Sequence, residues 1–235
     1  MPNPFFRFKE FVVYHDRCAM KVGTDGVLLG AWTKVEGKAN ALDVGVGSGL
    51  VSLMLAQRNP SLIVNALEID IPACEQACEN IDNSPFADRI SVQLQSLQAY
   101  AAGCERRYEA VVSNPPFFSS SLKSPSPSRT VARHNDTLTP EELISCSSAL
   151  LSPTGSLSLI YPAECLDELL EYGRDHSLFP SRLCRVYPKA NVPAKRVLLE
   201  LAFHAASCVE SELTLEIDRH VYTEEFRELT KAFYL

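Results

Sequence analysis

The run Leu42-Asp43-Val44-Gly45-Val46-Gly47-Ser48-Gly49 sets three glycines between an apolar stretch, Asn40 to Val44, and a helical pattern, Gly49 to Gln57. A chain that leaves a strand and enters a helix through such a turn takes backbone conformations closed to most side chains and brings its backbone close to a ligand. From Asn40 onward short apolar runs keep alternating with helical patterns, the signature of a parallel sheet with helices on both faces. Strands are expected over Leu62 to Glu68, Ile90 to Leu94, Glu109 to Ser113, Gly155 to Tyr161, Leu178 to Tyr187 and Arg196 to His204. Helices are expected over Pro72 to Asn83, Thr139 to about Leu151 and Ala163 to His176. Thr139-Pro140-Glu141-Glu142 combines an N-cap, a first-turn proline and a capping-box glutamate. Ser- and Pro-rich Asn114 to Leu138 reads as a long loop, and a short strand, Leu213 to Ile217, and a helix, Glu224 to Phe233, close the chain. The expected α/β architecture is a doubly wound, seven-stranded, mostly parallel sheet in one domain over 1–235, with additions at 1–35 and 205–235.

Composition narrows the function classes. With 46% hydrophobic and 22% charged residues the chain has material for a core, which excludes disorder. No apolar run reaches the roughly 18 residues of a membrane span, and Met1 to Glu10 lacks the apolar stretch of a leader, so a cytoplasmic protein is expected. Lys plus Arg is 22 against 29 for Asp plus Glu, so the surface as a whole is not a basic footprint for polyanions. Eight scattered cysteines without a Cys-x-x-Cys pair read as reduced, mostly buried small hydrophobes, and no metal site is expected.

The glycine spacing identifies the kind of ligand. A dehydrogenase fingerprint needs its third glycine at position 50, which is Leu. Asp43 instead precedes the first glycine by two residues; a carboxylate there opposes a pyrophosphate but suits a ligand with a cationic amino-acid end, such as S-adenosylmethionine. Glu68 ends the second strand, where a carboxylate accepts both hydroxyls of an adenosine ribose. Asn114-Pro115-Pro116-Phe117 follows the fourth strand at the substrate-binding edge of the sheet. The Asn114 side-chain oxygen and the Pro115 carbonyl can grip the two hydrogens of a planar amino group, and Phe117 can stack on the ring that carries it.

Together these residues resemble the class I S-adenosylmethionine-dependent methyltransferases, and the Asn-Pro-Pro-Phe tetrad resembles the subset that methylates exocyclic or amide nitrogens. Phe8-Lys9-Glu10-Phe11, Met20 to Trp32 and Leu229 to Leu235 are similar to the two ends of the bacterial tRNA1(Val) adenine-N6-methyltransferases, which modify the adenine at position 37. The resemblance runs nearly end to end and implies a Rossmann-like class I methyltransferase fold. It implies that the segment holding Lys21, Gly23, Thr24, Asp25 and Gly26 closes over the methionine end of the cofactor. Asp43, Gly45, Gly47 and Gly49 would form its floor, Glu68 would hold its ribose, and Ser96 stands where many relatives carry an acid near its adenine. Asn114, Pro115 and Phe117 would hold the target base. The tetrad ends in Phe where adenine-directed relatives often have Tyr.

The partner implied is tRNA, which needs a cationic path. Residues 110–135 contain Lys123, Arg129 and Arg133 and no acid; residues 176–199 contain Arg182, Arg185, Lys189, Lys195 and Arg196 and again no acid. Both windows fall at the substrate edge of the expected fold, and Lys123, Arg129, Arg133, Lys195 and Arg196 are the candidate RNA contacts. His134 reads as a polar loop residue. No obligate protein partner is apparent, and a monomer is expected. Two rival readings stay open: the same fold acting on guanine N2 in rRNA or a protein glutamine amide, and a non-catalytic nucleotide-binding module.

Overall fold

The computed structural model describes residues 3–116, 138–204 and 207–235. A hairpin of β1 (Phe5–Arg7) and β2 (Val12–Tyr14) leads into α1 (Thr24–Trp32). The strands that follow are β3 (Asn40–Val44), β4 (Ile63–Glu68), β5 (Ile90–Leu94), β6 (Tyr108–Ser113), β7 (Leu151–Pro162), β8 (Phe179–Lys189), β9 (Arg196–Ala202), β10 (Val209–Asp218) and β11 (Val221–Tyr222). The helices among and after them are α2 (Leu50–Arg58), α3 (Ile71–Asp82), α4 (Leu97–Gly103), α5 (Pro140–Leu150), α6 (Leu166–Asp175) and α7 (Glu224–Thr230). The main sheet has the order β11-β10-β8-β9-β7-β6-β3-β4-β5. Within it β9 runs antiparallel to β7 and β8, and β11 antiparallel to β10; the remaining neighbours are parallel. Leu28, Met54, Ile81 and Phe226 bring α1, α2, α3 and α7 onto one face, while Leu97, Leu143 and Leu169 bring α4, α5 and α6 onto the other.

The doubly wound architecture agrees with the sequence, but the sheet is wider than the seven strands expected. The short run Leu213 to Ile217 is the middle of a ten-residue strand, β10, which pairs with β8 from Val209 opposite Arg182 to Glu216 opposite Lys189. Only Leu213 of that strand is buried, so no alternating pattern announces its full length. Helix α1 also lacks a period because six of its nine residues are buried, and a helix apolar all round has no polar face to mark it. Its close approach to α2 depends on Gly30, where an added Cβ would stand 2.7 Å from Met54 Sδ. Strand β7 starts at Leu151, directly after α5, four residues before the expected start. The cysteines are all free, yet only Cys184 is buried, so the expectation that most are buried is corrected. Among the described residues no helix is long and apolar enough to cross a membrane.

One buried charge ties the first strand to the first helix of the winding. Asp43 on β3 is 2% exposed, and its Oδ2 accepts the Ser52 backbone N–H at 3.1 Å and the Ser52 hydroxyl at 2.7 Å. Burial pushes its carboxyl up from 3.8 to about 6; the Ser52 bonds pull the other way, and the charge of Glu68 adds to the rise. The folded protein therefore holds this proton more tightly than the unfolded chain does. The ionisation therefore adds no cost at acid pH and a growing one as pH rises from about 4 to about 6, reaching about 3 kcal/mol at neutrality. Asp43→Asn keeps an oxygen acceptor for Ser52 and removes the titration. Its melting temperature relative to wild type should rise across pH 4 to 6 and level off above 7; a pH-independent difference between the two would contradict a buried, titrating Asp43.

Candidate active site

The sheet winds outward from β3 in two directions, through β4 to β5 and through β6 to β7, which opens a crevice at the carboxyl ends of β3 and β6. Three parallel pairings bring Val44, Glu68, Leu94 and Ser113 to this one edge. The glycine turn stands in the crevice. Gly45, Gly47 and Gly49 have φ of 74°, 54° and 84°, the left-handed region that favours glycine. An added Cβ at Gly45 or Gly47 would meet nothing within 4 Å, so these two glycines border open space. Gly49 differs: it caps α2 and lies against Ala77 and Ile81 of α3, a packing position.

Glu68 fixes the turn from the next strand. Its Oε2 accepts the Gly47 N–H at 2.9 Å, and its Oε1 accepts the N–H groups of Ile69 and Asp70 at 2.9 and 3.1 Å. The Leu67 carbonyl takes the Gly45 and Val46 N–H groups at 2.9 and 3.0 Å. Asp70 caps α3 through the Ala73 N–H. Ser96 is likewise a cap, accepting the Ala99 N–H at the start of α4, so its hydroxyl oxygen serves the helix at the edge where a contact to a ligand base was expected.

On the other side of β3, the Ser113 hydroxyl donates to the Val44 carbonyl at 2.8 Å and binds the end of β6 to the end of β3. Asn114 follows. Its Oδ1 is buried without a hydrogen-bond partner among the described residues, a costly state for an amide oxygen. Pro115 is buried beside it. Phe117, Lys123, Arg129 and Arg133 lie outside the described residues.

The N-terminal segment reaches the same place. Gly23 caps α1, Thr24 and Asp25 form its first turn, and an added Cβ at Gly26 would stand 3.0 Å from Leu50 and 3.8 Å from Asn114 Nδ2. Lys21 is exposed just before it. Two residues that sequence reasoning missed hold this segment. Asn80 on α3 donates to the carbonyls of Tyr14 and Ser48 at 2.7 and 2.8 Å and accepts the Tyr14 N–H, joining the hairpin to the glycine turn. Buried His15 accepts the Val22 N–H at Nδ1 and donates from Nε2 to the Asn3 carbonyl. Neither residue belongs to a local pattern; both act across long sequence separations.

The basic windows fare differently in space. Lys195 and Arg196 do reach the carboxyl edge, where Arg196 stands opposite Pro162 at the end of β7. Arg196, however, donates from Nε to Asp25 Oδ2 at 2.7 Å, so an expected RNA contact and an expected cofactor contact are each other's partners. Arg182 lies toward the opposite edge, 3.9 Å over the Trp32 ring and paired with Glu200. Arg185 pairs with Glu210 at 2.6 Å and Lys189 with Asp218 at 3.7 Å. The expectation that the whole second window is a free cationic path is therefore corrected. A cleft of about 630 Å³ lined by Arg107, Phe179 and Phe203 sits at the amino-terminal ends of the strands, away from this chemistry.

Comparison with known proteins agrees with this geometry. The methyltransferase small domain family matches residues 23–165. The tRNA1(Val) (adenine(37)-N6)-methyltransferase of Parabacteroides distasonis is 51% identical, with 100% of this chain and 99% of that protein covered. The protein of the same name from Trichodesmium erythraeum is 46% identical over 98% of this chain and 97% of its own. The crystal structure of a predicted O-methyltransferase from Agrobacterium tumefaciens shares the fold with a TM-score of 0.70 at 20% identity, covering 89% of this chain and 96% of that one. The chain belongs to the methyltransferase small domain family, and within it to the tRNA1(Val) (adenine(37)-N6)-methyltransferases.

Proposed function

We propose that this protein methylates the exocyclic N6 of adenine 37 in tRNA1(Val), with S-adenosylmethionine as methyl donor, in the cytoplasm and as a monomer. The observation that carries the reading is the orphaned Asn114 Oδ1: a buried acceptor at the switch point of the sheet, beside the glycine turn, lacks the donor that a substrate amine supplies.

The residues present fit the donor. Gly45 and Gly47 leave a cradle that any side chain would fill, and Glu68 is held rigid by three backbone N–H groups. A carboxylate has about four acceptor positions and three are taken, so Glu68 retains one for a ribose hydroxyl. Asp43, beneath the turn, and Lys21, Gly23, Thr24 and Gly26, over it, would enclose the amino-acid end, while Asp25 is engaged by Arg196. The bound donor supplies a sulfonium methyl already activated for displacement. The chain's own task is placement: Asn114 Oδ1 would accept one amino hydrogen and the Pro115 carbonyl the other, so that the nitrogen lone pair stays free to attack, and the family resemblance gives Phe117 the role of stacking on the base. The amine loses its proton after transfer, when it has become acidic, so no strong base is required. The adenine must leave its stack to enter the crevice. The relatives' shared name favours adenine over the guanine 2-amino group and the glutamine amide that the tetrad alone would allow.

Asn114→Ala should lower turnover about 100-fold or more and leave affinity for S-adenosylhomocysteine nearly intact, because an orienting group acts on the substrate amine. Near-wild-type N6-methyladenine in nucleoside mass spectrometry would end the amine-gripping mechanism. Glu68→Ala should weaken S-adenosylhomocysteine binding by roughly 1.5 to 3 kcal/mol in calorimetry, the scale of hydrogen bonds to a charged acceptor; unchanged affinity would remove Glu68 from the ribose site. The edge lysine and the paired arginine should separate in salt titrations. Lys195→Ala should flatten the slope of log K for tRNA against log salt by up to about one unit, whereas Arg182→Ala should leave the slope unchanged. Equal slopes for all three proteins would place the phosphate path elsewhere.

A further inference from the structure

Between the first turn of α1 and the ends of β8, β9 and β10 lies a second, smaller slot of about 320 Å³, a size that takes a small-molecule-sized group. Its floor is apolar: Leu28 and Val186 are buried, and Leu215 is half-buried. Its rim carries Asp25, Arg196 and Lys195. Asp25 and Arg196 neutralise each other across 2.7 Å, so the ammonium of exposed Lys195 is the rim's surplus charge. The Lys195 backbone is pinned on both sides, its N–H donating to the Val186 carbonyl at 2.9 Å and its carbonyl accepting the Ala163 N–H at 3.2 Å. Lys195 is therefore held at a fixed place on the rim of the slot.

We infer that this slot holds a nucleotide flanking the target adenine, its base against the half-buried Leu215 and Pro188, which lie over buried Leu28 and Val186, and its phosphate on Lys195. An apolar surface under a cation suits a nucleotide because every base has an apolar face and every phosphate a negative charge. The strand walls of the slot stand away from the cofactor cradle. Neighbouring strands are about 4.8 Å apart, so the slot's walls on β9 and β8 stand roughly 14 to 19 Å from β3, whose turn forms the cofactor cradle. The same walls are roughly 10 to 14 Å from β6, which carries Asn114, a span an unstacked strand crosses in one or two nucleotides. The slot is also wired to the reaction site, since Gly26, the residue after Asp25, abuts the Asn114 amide. On this assignment Asp25 belongs to the RNA side and serves as the counter-ion that sets Arg196 in the slot wall. The inference rests on the proposed tRNA substrate and adds a specificity site to it.

The test uses the full chain with S-adenosylhomocysteine bound and tRNA1(Val) anticodon stem-loops carrying one abasic nucleotide at each of the two positions on either side of adenine 37. At one position the abasic change should raise the wild-type Kd about tenfold, the scale of one lost base contact. Leu215→Trp, which fills the slot, should raise the Kd of the intact RNA by a similar factor and add almost nothing on that abasic RNA. Lys195→Ala should weaken both RNAs equally, because the abasic nucleotide keeps its phosphate; it carries the test if the tryptophan variant does not fold. Wild-type affinities within twofold across all four abasic RNAs would overturn the inference. So would effects of Leu215→Trp that multiply with every abasic change, or a loss of S-adenosylhomocysteine affinity in that variant. Slot-dependent binding without any N6-methyladenine formed on the intact RNA would instead defeat the proposed function and leave the nucleotide slot standing.

Discussion

The carboxylate of Glu68 and the carbonyl of Leu67 are the groups on which the candidate site depends. Five backbone N–H groups, those of Gly45, Val46, Gly47, Ile69 and Asp70, converge on these two consecutive residues of β4. A turn with three residues at positive φ has no ladder of its own to satisfy its donors, so without this neighbour it would have no fixed shape. The parallel register that sets Val44 beside Leu67 makes the convergence possible, and Asp43 completes it from below through Ser52. One strand pairing thus fixes the glycine turn, the start of α2 and the position of Glu68 together.

Aromatic packing at the two chain ends supports the other wall of the crevice. Phe8 stacks on Phe11 and on Tyr234, and the Lys9 N–H donates to the Phe233 carbonyl. Gln57 on α2 donates to the Ala232 carbonyl, so the C-terminus clamps the hairpin against the helix that leaves the glycine turn. From this clamp the chain runs through Asn80 and His15 to the first turn of α1, where Gly26 meets Asn114. Both termini are therefore packed together beside the helix that leaves the glycine turn, and burial of large aromatic surfaces stabilises this arrangement.

Charge shows how a linear reading is rearranged by strand pairing. The window 176–199 contains five cations and no acid, yet Arg182, Arg185, Lys189 and Arg196 each meet a carboxylate from another segment: Glu200, Glu210, Asp218 and Asp25. Cross-strand neighbours sit about 5 Å apart whatever their separation in sequence. A local charge count therefore overstates the cationic path, and at this edge the surplus falls to Lys195.

The sequence by itself determined the winding of the chain, the glycine turn, Glu68 at the end of its strand and Asn114 at the end of another, because each is written in a local pattern of period, spacing or capping. It also carried the family resemblance, since the signatures at both ends are contiguous. Tertiary structure alone decided the width of the sheet, the caps at Ser96 and Gly49, the roles of Asn80 and His15, and the partnership of Asp25 with Arg196. Strand β10 is half-exposed and shows no alternation, and Asp25 meets its partner across 171 residues. Such contacts are fixed by which strands come to lie side by side, and the hydrophobic burial that decides this is a property of the whole fold rather than of any segment.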